Sequence, residues 1–359
     1  MPRVMKSLSG TDLANMFPSA NLNKGQEKMI YIESKSFDPH FNLAMEQFVF
    51  DDMDRSEGYF LLWQNANTIV VGKNQNTIAE INQDFVEKNH VNVVRRLSGG
   101  GAVYHDMGNL NFTVIVSKQN NMGDFDFTRF CLLVVGALKR LGVRAEVNGR
   151  NDITIDGKKF SGNSQYMKQG RIMHHGCILY DSDLSKVAQS LKVSKDKIAS
   201  KGIKSVASRV TNIVDCLPKK LPLQVFKDAL VEELMAKEKN VKHHEFTTEE
   251  LAAIEKIKRE RYDTWEWNYG KSPKYDIVKE RYIDGCGKFE IHMNVKNGVI
   301  ENIDIFGDYF GNGDKADIIK ILLGAKVNQE SVSQALSKVD IEKYFHNMTK
   351  ETFVDIIVK

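Results

Sequence analysis

The sequence predicts an α+β protein: a mixed sheet with packed helices, followed by a small C-terminal α+β domain. Short strand-like runs follow one another without the regular intervening helix that βαβ units require. Asp156-Gly157 and Asn297-Gly298 are typical hairpin turns and place antiparallel strand pairs in both parts of the chain. An aromatic-rich stretch that ends in GKSP at residues 270–273 indicates a boundary between the two parts.

The larger part contains both helical and strand-like patterns. Asp38-Pro39 is a favourable helix start, and an apolar face follows at helical spacing. A second apolar stripe, Leu133 to Leu141, ends at Gly142, and Thr247–Glu250 has the pattern of a capping box. Further helices are predicted at 80–88 and 223–235. The predicted strands are 29–32, 59–63, 68–72, 91–94, 110–116, 144–147, 152–155, 159–161 and 171–180.

The predicted division of the chain has three parts. Residues 1–28 are rich in Ser, Asn, Gly and Lys, and we expect a leader, either disordered or added to the natural chain. Residues 29–272 form the expected catalytic domain. Residues 273–359 form the accessory domain, with strands at 288–295 and 299–306 and helices at 316–323, at 331–337 and near the C-terminus.

Composition excludes several classes of protein. The chain has 50 basic and 47 acidic residues, a balance that does not predict nucleic acid as a partner. No apolar run is long enough to predict a membrane span. Four scattered cysteines without a Cys-x-x-Cys pair indicate neither a disulfide framework nor a zinc site. The cysteine pattern therefore favours a cytoplasmic protein. We also expect the protein to be a monomer.

A glycine-rich loop lies between two of the predicted strands. Residues 95–106 read RRLSGGGAVYHD, so backbone N–H groups without β-carbons adjoin two arginines and a histidine. Such a loop suits an anion, although the glycines alone are equally typical of a flexible hairpin. The spacing is neither that of a P-loop nor that of a dinucleotide-binding fingerprint.

Three further polar clusters are candidates for chemistry: GRND at residues 149–152, DGKKFSGN at 156–163 and HHG at 174–176. Lys159 is unusual in a short strand, although on its own it is more typical of an exposed side chain. His174 and His175 point to opposite faces of their strand, so at most one of them faces a site.

Taken together and in order, these motifs resemble the lipoate–protein ligase A family, as do KGIKSV at residues 201–206 and SRVTN at 208–212. The resemblance runs from Met29 to the C-terminus. It implies a fold related to biotin protein ligases and a C-terminal domain used in the conformational cycle. It also implies a reaction in which ATP and lipoate give lipoyl-AMP and pyrophosphate. The lipoyl group then passes to a lysine of an acceptor domain.

The resemblance also implies roles for individual residues. Lys159 is the central cation, which touches both the lipoate carbonyl and the α-phosphate. Asp152 is the expected Mg²⁺ ligand. The remaining expected ATP and adenylate contacts are Arg96, Gly101, Ala102, Val103, Tyr104, His105, Asn151 and Lys204. The remaining expected lipoate contacts are Trp63, Val70, Val103 and His175.

The expected partners are the lipoyl-acceptor domains of 2-oxoacid dehydrogenase complexes and the glycine-cleavage H protein, with no role for nucleic acid or membrane. Two alternatives stay open at this point. An octanoyl or lipoyl transferase of the same superfamily would form a thioester on a cysteine, and Cys177 lies beside the HHG motif. A protein that binds lipoyl domains without catalysis is the other.

Overall fold

The structure, a computed structural model, describes residues 29–118, 126–149, 151–191, 209–238, 241–270 and 277–358. Within these ranges the strands fall into three sheets. They are β1 (Met29–Glu33), β2 (Gly58–Trp63), β3 (Thr68–Val71), β4 (Asn92–Arg95), β5 (Val103–His105), β6 (Asn109–Ser117), β7 (Glu146–Asn148), β8 (Asp152–Ile155), β9 (Lys158–Lys168), β10 (Arg171–Leu179), β11 (Lys242–His243), β12 (Ile277–Ile283), β13 (Gly287–Lys296) and β14 (Val299–Gly307).

Helices pack on both faces of the largest sheet and on one face of the C-terminal sheet. The α-helices are α1 (Pro39–Asp51), α2 (Thr77–Glu80), α3 (Gln83–Lys88), α4 (Thr128–Arg140), α5 (Leu184–Ser190), α6 (Leu223–Lys237), α7 (Thr248–Ile257), α8 (Trp265–Asn268), α9 (Lys315–Leu322), α10 (Gln329–Ala335), α11 (Ile341–Tyr344) and α12 (Lys350–Val358), and a π-helical segment, Lys258–Tyr262, directly follows α7. Both predicted helix starts are present: Asp38 caps α1 ahead of Pro39, and Thr247 and Glu250 form the capping box of α7.

The largest sheet has eight strands in the order β11-β1-β2-β6-β10-β9-β8-β7. β11, β1 and β2 are parallel, whereas β2 and all the strands beyond it pair in antiparallel fashion. The sheet is buried on both faces. Phe60 and Leu62 of β2 pack with the residues of α4 and α6, while Tyr59, Leu61 and Trp63 pack with those of α1 and α7. Side chains that alternate along each strand therefore pack into two separate apolar cores, one on each face of the sheet.

A small second sheet holds the glycine-rich loop. Its order is β4-β3-β5, with β3 parallel to β4 and antiparallel to β5. Val70 and Val94 of this sheet join the same apolar cluster as α1, so the sheet lies over the α1 side of the main sheet. The loop between β4 and β5 is consequently held above that face.

The C-terminal part is a three-stranded antiparallel sheet, β12-β13-β14, with α9, α10, α11 and α12 packed on one face. It contacts the larger part closely. Phe310 belongs to the apolar cluster of the larger part, where its ring lies 5.3 Å from that of Phe127. A β-carbon on Gly99 would come within 2.3 Å of the Tyr309 carbonyl oxygen, so only glycine allows this approach. None of the helices within the described ranges has the length and apolarity to cross a bilayer.

Candidate active site

A cleft of about 570 Å³ lies on the α1 side of the main sheet, next to the glycine-rich loop. One row of residues in register crosses five adjacent strands along it: Trp63, Asn111, Cys177, Gly162 and Asp152. Residues paired across strands face the same side of a sheet, so the row follows one face. At about 4.8 Å per strand, it extends roughly 19 Å from the apolar end to the charged end.

Lys159 lies at the charged end of the cleft, with its Nζ 2.7 Å from Oδ1 of Asp152. A β-bulge directs it there. Ile153 pairs with Ser161 and Thr154 pairs with Lys159, which leaves Phe160 as the extra residue. Phe160 is fully buried in the core on the opposite face, and the lysine next to it therefore reaches the cleft.

Gly162 makes room for the lysine side chain. A β-carbon at this position would lie 3.0 Å from Lys159 Nζ and 3.1 Å from its Cε. The main chain of Lys159 is also held in place, because Thr211 N–H donates to the Lys159 carbonyl at 3.0 Å. Backbone and side chain of Lys159 are thus both constrained.

Arg96 holds the glycine-rich loop from inside. Its Nε–H donates to Ser98 Oγ at 3.1 Å, and its terminal nitrogens donate to the carbonyls of Val70, Gly99 and Gly101 at 3.3, 2.7 and 2.9 Å. Burial lowers the pKa of Arg96 to about 10, which still leaves it charged at neutral pH. The guanidinium therefore both shapes the loop and supplies positive charge beside the cleft.

Arg95 does not line the cleft. Its guanidinium donates to the carbonyls of Gly72, Gln75 and Trp267, among others, and so connects the end of β3 to the segment around α8. The two arginines differ in role because successive side chains at the end of a strand point to opposite sides.

The two histidines of the HHG motif face opposite sides, as strand alternation predicts. His175 lines the cleft; its Nδ1 is 2.9 Å from Oε1 of the buried Glu46 and its Nε2 is 2.6 Å from Ser98 Oγ. Thr113 Oγ1 also donates to Glu46 and accepts from Trp63 Nε1. His174 lies in the core on the other side, with its ring 4.7 Å from that of Phe130.

The other end of the cleft is apolar. Leu43, Trp63, Val70 and Val103 line it, next to the buried His105. Asn65 Nδ2 donates to His105 Nδ1 at 3.2 Å, so the ring hydrogen of the neutral histidine is on Nε2. Burial, with smaller effects of Arg96 and His175, lowers the pKa of His105 to about 3. The ring is therefore uncharged at neutral pH.

The structure brings most of the predicted site residues to this one cleft: Trp63, Val70, Arg96, Gly101, Ala102, Val103, His105, Asn151, Asp152, Lys159 and His175. The side chain of Tyr104 is apart from them, since it is buried and its hydroxyl donates to Asn67 at 2.9 Å. Lys204 lies outside the described residues. Cys177 is at the cleft, where its thiol donates to the Gly162 carbonyl at 3.7 Å.

Several cleft residues were not predicted. The C-terminal part contributes Tyr282, Asp284 and Asp308. Arg209 also lines the cleft; it lies within the SRVTN motif, which was noted only for its resemblance. Glu46 was also missed, although an acidic residue in the apolar half of an amphipathic helix is a signal for a buried partner. The residues of the C-terminal part carry no local signal, because only the packing of the two parts brings them to the cleft.

The cleft thus combines a charged end around Lys159 with an apolar end around Trp63, and comparisons with known proteins identify the class of protein that carries it. Residues 38–235 match the family described as the lipoyl protein ligase A/B catalytic domain, and residues 272–357 match the bacterial lipoate protein ligase C-terminus. The chain therefore belongs to the lipoate–protein ligase family.

Individual relatives agree with this assignment. The chain is 44% identical to the lipoate-protein ligase LplJ of Bacillus subtilis over 92% of its own length and 100% of the relative. It is 42% identical to lipoate–protein ligase 1 of Staphylococcus aureus over 89% of its length and 97% of that protein.

Solved structures show the same fold. LipL1 of P. falciparum in complex with lipoate has a TM-score of 0.74 at 25% identity and covers 93% of this chain and 98% of its own. Lipoate-protein ligase A bound with ATP has a TM-score of 0.58 at 25% identity, and the match covers 68% of this chain and 99% of that structure's chain. A bipartite ligase from Thermoplasma acidophilum, described with its E2 lipoyl domain, has a TM-score of 0.60 at 26% identity. The match covers 70% of this chain and 99% of that structure's chain.

Proposed function

We propose that this protein is an ATP-dependent lipoate–protein ligase that works through Lys159. It joins lipoate to ATP as lipoyl-AMP, releases pyrophosphate, and transfers the lipoyl group to a lysine of an acceptor protein. The observation that carries the proposal is the position of Lys159, which lies at the charged end of a cleft whose other end is apolar. A carboxylic acid with an apolar tail fits such a cleft in one orientation.

The first step requires neutralisation of charge. The lipoate carboxylate attacks the α-phosphorus of ATP, and both reactants are anions, so positive charge must lie where their oxygens meet. Lys159 supplies an ammonium there, while Arg96 adds a second charge behind the glycine-rich loop. The N–H groups of Gly101, Ala102, Val103 and Tyr104 and the side chains of Asn151 and Lys204 complete the proposed nucleotide contacts. His105, expected from the sequence to contact the nucleotide, lies instead at the apolar end beside Trp63, where the lipoyl chain is proposed to lie.

Mg²⁺ is part of the proposal. Magnesium in nucleotide sites is held by one or two carboxylates together with the substrate's phosphates. Asp152, which is partly exposed at the charged end, fits this role, although its Oδ1 also contacts Lys159. Among the described residues, His, Cys, Asp and Glu form no cluster of three that could hold a metal unaided. When bound, the ion would supply further positive charge to the phosphates.

The second step needs no nucleophile from the enzyme. The amine of the acceptor lysine attacks the carbonyl carbon of lipoyl-AMP, forms the amide and releases AMP. We propose lipoyl domains of 2-oxoacid dehydrogenases and the glycine-cleavage H protein as acceptors, in line with the lipoyl domain described for the archaeal neighbour. The alternative of a thioester on Cys177 is not favoured, since the relatives that match most of the chain are ligases.

The test compares two adjacent lysines. We expect Lys159→Ala to abolish lipoate-dependent pyrophosphate release from ATP, because the cation between the two anions is removed. Lys158→Ala is the matched control, since Lys158 is exposed on the same strand and outside the cleft, and should keep the activity. Retention of adenylation by Lys159→Ala, or acyl transfer without ATP, would contradict the proposal.

A further inference from the structure

The buried His174 is joined to the charged end of the cleft by a chain of hydrogen bonds, although it lies on the opposite face of the sheet. We propose that His174 is a positioning residue for Lys159 and Asp152. This inference rests on the proposed function, because it assigns a supporting group to the same adenylation site.

The ring of His174 has a defined orientation and protonation. Gln165 Nε2 donates to the Asp126 carbonyl at 2.7 Å, which fixes the direction of the Gln165 amide. The same nitrogen lies 3.1 Å from His174 Nδ1, so Nδ1 accepts and Nε2 carries the hydrogen. Burial holds the pKa of His174 well below its usual range, so the ring remains neutral.

His174 thereby orients Asn163. Its Nε2–H donates to Asn163 Oδ1 at 3.2 Å, which turns Asn163 Nδ2 toward the Asn151 carbonyl at 3.1 Å. Asn151 Nδ2 donates back to the Asn163 carbonyl at 2.6 Å, and Asn163 N–H donates to the Asn151 carbonyl at 2.9 Å. These three bonds clamp the start of β8 to the middle of β9.

The clamp lies next to both charged side chains of the site. Asn151 precedes Asp152, and Asn163 follows Gly162, which pairs with Asp152 across the strands. Asp152 in turn contacts Lys159 at 2.7 Å. A shift between β8 and β9 would therefore change the distance between the ammonium and its carboxylate. Misplacement of a reacting group by about 1 Å can reduce a rate roughly 100-fold.

Two substitutions separate the polar role of His174 from its packing. The amide of glutamine reaches the position of Nε2 and can still donate to Asn163, whereas that of asparagine reaches only the position of Nδ1. We expect His174→Asn to lower kcat for lipoate-dependent ATP–pyrophosphate exchange roughly 10- to 100-fold. His174→Gln should restore most of kcat, even though both variants lose the aromatic stacking on Phe130.

The control is Val134→Ala, a truncation in the same apolar cluster that removes no hydrogen-bonding group. It should lower the melting temperature and leave kcat unchanged. Equal kcat values for the wild type and His174→Asn would overturn the inference, as would equal losses in the asparagine and glutamine variants. An inactive wild-type protein would instead overturn the proposed function, so the two failures are distinguishable.

Discussion

At the scale of single residues, the site depends on glycine positions, where a β-carbon would crowd a neighbouring group, as well as on its charged side chains. Gly162 is one example, since the space that a β-carbon would occupy is taken by the end of the Lys159 side chain. The lysine is flexible and can move away, so a methyl group there costs little stability. It changes instead where the ammonium lies.

We therefore expect Gly162→Ala to lower the rate of lipoyl-AMP formation about 10-fold or more with only a small decrease in melting temperature. Gly58→Ala is a matched control: its β-carbon would also meet the end of a flexible side chain, Met29 Cε at 3.1 Å, but outside the cleft. Both measurements use lipoate-dependent pyrophosphate exchange and thermal unfolding. Equal rates in the two variants would contradict this role of Gly162.

The buried His105 makes stability depend on pH. Its pKa is about 3 in the folded protein, because burial disfavours the charged ring, and about 6.5 in the unfolded chain. Between these values the unfolded chain binds more protons, so the free energy of unfolding falls as the pH decreases. One such group lowers the free energy of unfolding by about 1.4 kcal/mol when the pH falls from about 7.5 to about 5.5.

We expect His105→Asn to reduce this dependence, measured as the difference in free energy of urea unfolding at about pH 7.5 and pH 5.5. Asparagine does not titrate and can still bond to Asn65. The neutral His174 acts in the same direction, so part of the pH dependence should remain in the variant. An unchanged dependence would show that His105 is protonated in the folded protein.

At the scale of secondary-structure elements, sequence patterns located the site better than they described its strands. The predicted strand at 159–161 is the start of β9, which continues to Lys168. The polar run Ser161–Ser164 concealed the continuation, because Asn163 and Ser164 bond to neighbouring strands and loops and the run does not alternate between core and solvent. The bulge at Phe160, which directs Lys159 into the cleft, has no signature in a single sequence.

Two other elements were also not predicted correctly from the sequence pattern. The strand β12 was not predicted, because its alternation consists of half-buried and exposed positions that include Lys279 and Arg281. The single helix predicted at 80–88 is two short helices, α2 and α3, separated by the buried Ile81. By contrast, caps and turns such as Thr247–Glu250 were predictable, since their hydrogen bonds are local.

At the scale of the whole molecule, the cleft is shared between the two parts of the chain. Asp308 of the C-terminal part lies beside the glycine-rich loop, with Oδ2 4.0 Å from the position of a β-carbon on Gly101. Its Oδ1 accepts from the backbone of Lys288, which fixes the carboxylate at this place. In this arrangement a negative charge faces the amides that we propose for the phosphates of ATP.

We expect Asp308→Asn to bind ATP more tightly, because the repulsion between the carboxylate and the triphosphate is removed while the amide oxygen can still accept from Lys288. A like-charge contact at a partly exposed site changes affinity roughly 2- to 5-fold. The measurement is the Kd of a non-hydrolysable ATP analogue at low and high salt, with a smaller difference at high salt because of screening. Asp84→Asn removes the same charge from the exposed start of α3 and should leave the Kd unchanged. Weaker binding by Asp308→Asn would mean that this carboxylate supports the nucleotide, for example through its magnesium ion, and does not oppose it.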